Sequence, residues 1–256
     1  MEKLYLGLST LCFLGGFIFA VTALRSGRVD PGRVNMAIIG LGFIFQCLFL
    51  QIRGKMHGQC PITSGAEVLV FICWSIVLMY FLLGKAFRLS LLGTFTAPIV
   101  FVFQGLALVF LILDQTPIER VAEVDAWKEM HASMALLSYG AFALSGVAGI
   151  MYFVQDRQLK SHHPGRLSYK LPPIRYLVDA LVRLLGIGLL LLTIGIVSAF
   201  FMENFPSTLH LVVSGSVWVI YAGLLAVHLF KKLPPKRLAV SSVIAFVVAV
   251  CTLAAL

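Results

Sequence analysis

The chain has 256 residues, of which 60% are hydrophobic and 12% charged, with a mean hydropathy of +0.97. Soluble domains carry roughly 25% charged residues, so a water-soluble globular protein is excluded and an integral membrane protein is implied. The formal net charge of +9 acquires meaning only from where the cations fall along the chain.

Eight apolar stretches have spanning length, near 4–24, 34–52, 66–84, 90–113, 130–154, 177–202, 209–230 and 238–256. About 20 residues of helix cross the hydrocarbon core. Lipid offers no partner to backbone groups, so these stretches are helices, and they lack the alternation of a membrane barrel. The expected fold is an all-α polytopic membrane helix bundle of eight transmembrane helices, with residues 1–256 forming a single integral membrane domain. The longest loops, 53–65, 114–129 and 155–176, are too short to bury a core of their own. The first stretch begins at Leu4 with almost no basic segment before it and ends at Arg25, so it is expected to stay in the protein as a helix and not to be cleaved as a signal.

Lysine and arginine set the orientation. With an external N-terminus, the inner loops hold Arg25, Arg28, Arg33, Lys85, Arg88, Arg157, Lys160, Arg166, Lys170, Arg175, Lys231, Lys232, Lys236 and Arg237. The outer segments hold only Lys3, Arg53, Lys55, Arg120 and Lys128. That positive-inside bias places both termini outside a bacterial cytoplasmic (inner) membrane, and it makes the net charge a matter of topology and not of nucleic-acid binding.

Cys12, Cys47, Cys60, Cys73 and Cys251 stand singly, with no C-x-x-C. Both a thiol relay and a zinc site need paired thiols, so both are disfavoured, and the membrane cysteines read as small packing residues. No phosphate-binding glycine loop, nucleophile elbow or H-E-x-x-H helix occurs, and no enzyme activity is expected.

Polar residues inside spans need a partner or a cavity. Asp179 and Arg183, four apart, can pair on one helix face. Glu67, at the start of the third stretch, is expected at the water interface, where it needs no partner. In the loop 114–129, Ile118, Val121, Val124 and Trp127 recur every three residues and suit a short interfacial helix, with Trp127 as an anchor.

Of six histidines, His57, His131 and His210 fall outside, and His162, His163 and His228 inside. His131 and His210 begin the fifth and seventh helices at one depth, so two imidazoles could face each other and hold one iron axially. His228 lies about 27 Å below His210 and cannot serve the same iron. Each histidine taken alone is also consistent with an interfacial hydrogen-bonding residue. The pair His162-His163, in a basic loop with Pro164-Gly165 and Pro172-Pro173, reads as solvated, with adventitious metal binding its main chemistry.

The run Met130-His-Ala-Ser-Met-Ala-Leu-Leu-Ser-Tyr139, continuing through Gly146 to Tyr152 and Gln155-Asp-Arg-Gln-Leu-Lys160, resembles the signature helix of the cytochrome c assembly family. Gly58-Gln-Cys-Pro61, then Ser64-Gly-Ala-Glu67 and Trp74, is similar to that family's region between its second and third helices. Asp179, Arg183, Gly186, Gly188 and Gly195 also fit, and the resemblance covers nearly the whole chain. It implies haem handling, with His131 as an outward axial ligand and His228 as a histidine within the membrane. The family's tryptophan-rich outer loop is absent, and the corresponding connection is Glu203-Asn-Phe-Pro-Ser-Thr-Leu-His210, flanked by Phe200 and Phe201 and containing Phe205. The family's second outward histidine, beyond the last helix, has no counterpart before Leu256. Both departures point to the short HemX-like branch, and His210 is the candidate to replace the lost ligand.

The leading expectation is thus a haem-binding membrane protein supporting cytochrome c assembly. His131, His210 and His228 are its candidate ligands, Trp74 belongs to the aromatic lining, and Arg53 or Lys55 would meet the propionates. Partners under this reading are lipid, haem and other cytochrome c biogenesis proteins. The alternative is a regulatory or scaffolding protein that binds a cytoplasmic tetrapyrrole-synthesis enzyme through the basic loop 155–176. A solute transporter is disfavoured by the scarcity of carboxylates in the spans, where Pro98 is the most obvious helix breaker.

Overall fold

A computed structural model describes residues 2–26, 31–83, 92–114, 120, 123–160, 171–204 and 206–253. Eight helices account for nearly all of them: α1 Glu2–Ser26, α2 Pro31–His57, α3 Gly65–Leu83, α4 Leu92–Leu113, α5 Ala126–Lys160, α6 Ile174–Ala199, α7 Thr208–Lys231 and α8 Pro235–Leu253. All eight are long and apolar enough to cross a membrane, and no strand occurs among the described residues. The helices gather into two compact units, α1–α4 and α5–α8.

In the first unit α1 packs against α2 and α4, and α3 against α4. Leu6, Phe49, Ala66, Val70, Ala107 and Leu111 form a buried cluster there. The face that α2 turns inward reads Asn35, Ile39, Gly42, Gln46, Phe49, Arg53 and His57, at the three- and four-residue spacing of a packed helix stripe. Several of these are polar, and the unit supplies partners from within, as lipid demands. The Gln46 side-chain amide donates to Oε1 of Gln104, whose own amide donates to Thr10 Oγ1 at 3.2 Å. Ser9 Oγ donates to the Gly42 carbonyl at 2.8 Å.

At the other end of that stripe the chain turns sharply. Gly58 adopts a positive φ of 73°, and its N–H donates to the Gly54 carbonyl at 2.9 Å, a left-handed helix stop that glycine takes without steric cost. Ser64 then caps α3 reciprocally: the Glu67 N–H donates to Ser64 Oγ at 3.3 Å and the Ser64 N–H to Glu67 Oε2 at 3.4 Å. Glu67 corrects the expectation of a solvated carboxylate, since it is 0% exposed. Its Oε1 accepts from Arg53 Nε at 2.5 Å and His57 Nε2 at 2.8 Å, and its Oε2 from Thr63 Oγ1 at 2.7 Å. The turn at Gly58 folds the end of α2 over the start of α3, which removes water from the carboxylate and replaces it with these donors.

In the second unit α5 packs chiefly on α6 and then on α8. Its 35 residues make about 52 Å of helix, well beyond the ~30 Å hydrocarbon core, so its polar ends continue past the apolar span. A long stretch around Ser138–Gly149, rich in Gly, Ala and Ser, is buried. Small residues let backbones approach closely in lipid. A Cβ on Gly149 would lie 3.0 Å from the Ala239 carbonyl oxygen and 3.1 Å from Val243 Cγ2. Trp127 belongs to the first turn of α5, so no separate interfacial helix includes it, and Ile118 and Val121 lie outside the described residues.

Candidate functional site

Asp125 starts α5. Its Oδ1 accepts from the N–H groups of Trp127 at 2.9 Å and Lys128 at 3.3 Å, which places it at the helix N-cap. Its Oδ2 accepts from the Glu203 N–H at 3.2 Å and so ties this helix end to the connection after α6. Over the same junction the ring of Trp127 stacks on Phe201, centroids 4.9 Å apart. One turn into α5, His131 is thereby held against α6.

Gly195 makes that contact close. A side chain there would meet Ala135 N at 3.1 Å and the His131 carbonyl oxygen at 3.3 Å, so α5 crosses α6 on bare backbone. The Gly195 carbonyl oxygen faces the imidazole and lies 2.7 Å from His131 Nδ1, and it also accepts from Ser198 Oγ at 2.7 Å. A carbonyl only accepts, so Nδ1 of His131 carries the proton.

His210 approaches from α7. Ser207 caps that helix, its side chain accepting from the His210 N–H at 3.3 Å. The two imidazoles face each other, Nε2 to Nε2 at 3.2 Å, with ring centroids 5.4 Å apart and planes at 55°. His131 is 7% exposed and His210 half-buried. In the neutral pair His131 Nε2 holds the lone pair and His210 Nε2–H donates to it.

This arrangement fits an iron porphyrin in its donor set. Ligating histidines commonly donate their second ring N–H to a backbone carbonyl, which fixes the tautomer and the ring orientation. His131 already makes that bond. His131 and His210, each through Nε2, are the residues that would hold such an iron. Among the described residues no three His, Cys, Asp or Glu side chains come together to hold a bare metal ion.

The other expected site residues lie elsewhere. His228 shares the face of α7 that carries His210, 18 residues on, with its Nδ1 buried and without a hydrogen-bond partner among the described residues. Arg53 and Trp74 belong to the first unit. Arg53 is buried and engaged by Glu67 and, at 2.8 Å, by Glu2, so its guanidinium is committed within its own unit. The indole N–H of Trp74 donates to Cys47 Sγ at 3.3 Å, and its ring stacks on Phe43. His162, His163 and Phe205 lie outside the described residues, as does 161–170 of the basic loop. Sequence reasoning missed the Gly195 carbonyl, Ser198 and the Asp125 cap. A backbone acceptor leaves no mark in composition, but an aspartate just before Ala-Trp-Lys at a helix start was a readable capping signal.

Eight spanning helices, with paired imidazoles at the start of two of them, define a polytopic helical membrane protein with a candidate ligand site built in a helix bundle. Residues 64–255 match the model of the cytochrome C assembly protein family, and the chain belongs to that family. It is 30% identical to a protein named HemX from Brevibacillus brevis over 67% of this chain and 63% of that protein, less than two thirds of the relative's length. It is 27% identical to the cytochrome c biogenesis protein CcsA of Mesostigma viride, over 81% of this chain and 79% of the relative. A second HemX, from Bacillus subtilis strain 168, is 24% identical over 97% of this chain and 92% of its own. These relatives accord with membership of the HemX-like branch.

Proposed function

We propose that this protein handles haem in the membrane in support of cytochrome c assembly, with His131 and His210 as the two imidazoles offered to the iron. One observation carries the reading: His131 presents Nε2 to Nε2 of His210 at 3.2 Å while its other nitrogen is bound to the Gly195 carbonyl. The class named by the CcsA relatives supports it. The setting under this reading is a bacterial cytoplasmic membrane with both termini outside.

When bound, haem supplies ligand exchange and redox chemistry at its iron. The chain's own residues supply position. The Gly195 carbonyl keeps the proton of His131 on Nδ1, so Nε2 is free to donate its lone pair. His210 in the hydrogen-bonded pair carries its proton on Nε2, so it would ligate only after changing tautomer, with Nδ1 protonated and the Nε2 lone pair free. Asp125 and the Trp127–Phe201 stack hold the helix end on which His131 stands. No enzymatic step by the protein is needed.

The test is the absorption spectrum of protein purified in mild detergent from haem-replete membranes, beside His131→Ala and His210→Ala. The expected result is a Soret band in the wild type that weakens or shifts in each variant. A wild type that purifies colourless and takes up no added haem sinks this reading and leaves the alternative, a scaffold for a cytoplasmic tetrapyrrole-synthesis enzyme.

A further inference from the structure

Helix α7 rests on its unit through a narrow contact. Among its described residues Val217 and Tyr221 are the buried ones, whereas Leu209, Val212, Val219, Leu229 and Phe230 are each more than half exposed. At 3.6 residues per turn, His210, Val217, Tyr221 and His228 fall within an arc of about 40° on one face. The two buried residues therefore lie between the two histidines on the same stripe.

Tyr221 meets Phe142 of α5 ring to ring, with centroids 3.6 Å apart and planes at 3°. Such eclipsed stacking is less favoured between aromatic side chains than offset or edge-to-face contact. The Tyr221 hydroxyl is buried, in a residue only 1% exposed, and has no hydrogen-bond partner among the described residues. A polar group left so is costly in any apolar medium. Gly188 completes the arrangement, since a Cβ there would lie 2.6 Å from Phe142 Cδ1, and its absence lets the ring settle against the backbone of α6.

From these observations we infer that Phe142 and Tyr221 form an iron-independent station for a planar tetrapyrrole, between His210 and His228 along the helix. The inference rests on the haem-handling reading. The macrocycle enters as a third plate, and each ring exchanges one π face for another, so little stacking is lost on opening. The Tyr221 hydroxyl gains an acceptor in a propionate at the macrocycle's edge. Few buried contacts tie α7 to the unit, so the helix can move aside by the thickness of a flat ring without unpacking the α5–α6 interface. Tyr221 stands 11 residues from His210 and 7 from His228, about 16 Å and 10 Å along the helix, so the centre of a macrocycle held there is out of reach of either imidazole.

The test uses protoporphyrin IX without metal, which no histidine can ligate, and the full chain in lipid nanodiscs with empty discs as reference. In wild-type protein labelled at tyrosine ring carbons, the Tyr221 resonance, assigned by its loss in Tyr221→Phe, is expected to move upfield far more than the others as porphyrin is added. Tyr221→Leu is expected to bind roughly five- to tenfold more weakly, the scale of one aromatic stacking contact. Binding without a shift at Tyr221, or a Tyr221→Leu that binds as tightly as wild type, overturns the station. A wild type that takes up haem but no metal-free porphyrin overturns it too while the haem-handling reading stands, and a wild type that takes up neither defeats both.

Discussion

The Gly195 carbonyl oxygen lies 2.7 Å from His131 Nδ1, so a backbone atom of α6 decides which nitrogen of an α5 side chain keeps its lone pair. The same glycine permits the close helix crossing that brings the carbonyl there. Packing and ligand chemistry are thus set by one residue that would touch no ligand itself.

Gly195→Ala should uncouple the two. Its new Cβ would meet Ala135 N at 3.1 Å and the His131 carbonyl at 3.3 Å, and neither backbone atom can swing away. The helices must separate, at a cost of about 1–3 kcal/mol, the range for overpacking a tight interface. The expected outcome is a lower melting temperature in detergent together with weaker haem uptake, although both histidines are intact. Ser198→Ala removes only a second donor to the same carbonyl, about 0.5–1.5 kcal/mol, and should spare haem uptake. Paired melting and haem titrations decide it, and wild-type behaviour of Gly195→Ala in both would refute the coupling.

Asp125→Ala should loosen the start of α5 without touching an imidazole. It removes acceptors for two helix N–H groups and for the Glu203 N–H. Loss of an N-cap costs about 0.5–2 kcal/mol, concentrated in the first turn. Hydrogen exchange should therefore rise at 126–131 and stay unchanged in the middle of α5. Uniform exchange along the whole helix would show that Asp125 supports the fold globally and not the cap.

Eight helices were legible because lipid demands about 20 apolar residues of helix and the sequence supplies eight such runs. The ends were less so: Ala126–Glu129 and Gln155–Lys160 are polar, hydropathy stops short of them, and yet the backbone stays helical. That His131 and His210 could meet followed from their places at two helix starts. What pins His131 did not, because the partner is a carbonyl 64 residues away. Glu67 was misread for a related reason: its position at a helix start suggested water, while the donors that bury it come from the preceding helix, folded over it by Gly58. The stripe of Asn35, Gln46, Arg53 and His57 on one face of α2 was the signal that this helix carries a buried polar seam.

Glu67→Leu should be among the most damaging single changes in the first unit. It strips Arg53 and His57 of a buried partner and leaves the guanidinium with Glu2. Removing one member of a buried ion pair costs about 3–5 kcal/mol, whereas replacing both members by apolar residues is often neutral. The double variant Arg53→Met/Glu67→Leu should therefore melt closer to wild type than Glu67→Leu alone. Thermal unfolding of the four members of this cycle gives the coupling directly, and a double variant that falls by the sum of the singles would show that the pair is not the source of the cost.

Gln104→Leu offers the contrasting case within the same unit. Gln104 Oε1 accepts a hydrogen bond from the Gln46 amide and its own amide donates to Thr10, all at buried positions. No formal charge is stranded by its loss. Interhelical hydrogen bonds between neutral groups in membranes average only about 0.6 kcal/mol, because the separated helices find other partners in lipid. Gln104→Leu should therefore lower stability by roughly 1 kcal/mol or less, several-fold below Glu67→Leu, even though both side chains are wholly buried. Unfolding both variants in one detergent ranks them. Equal losses would mean that burial and shape, and not charge, govern the polar seam of the first unit.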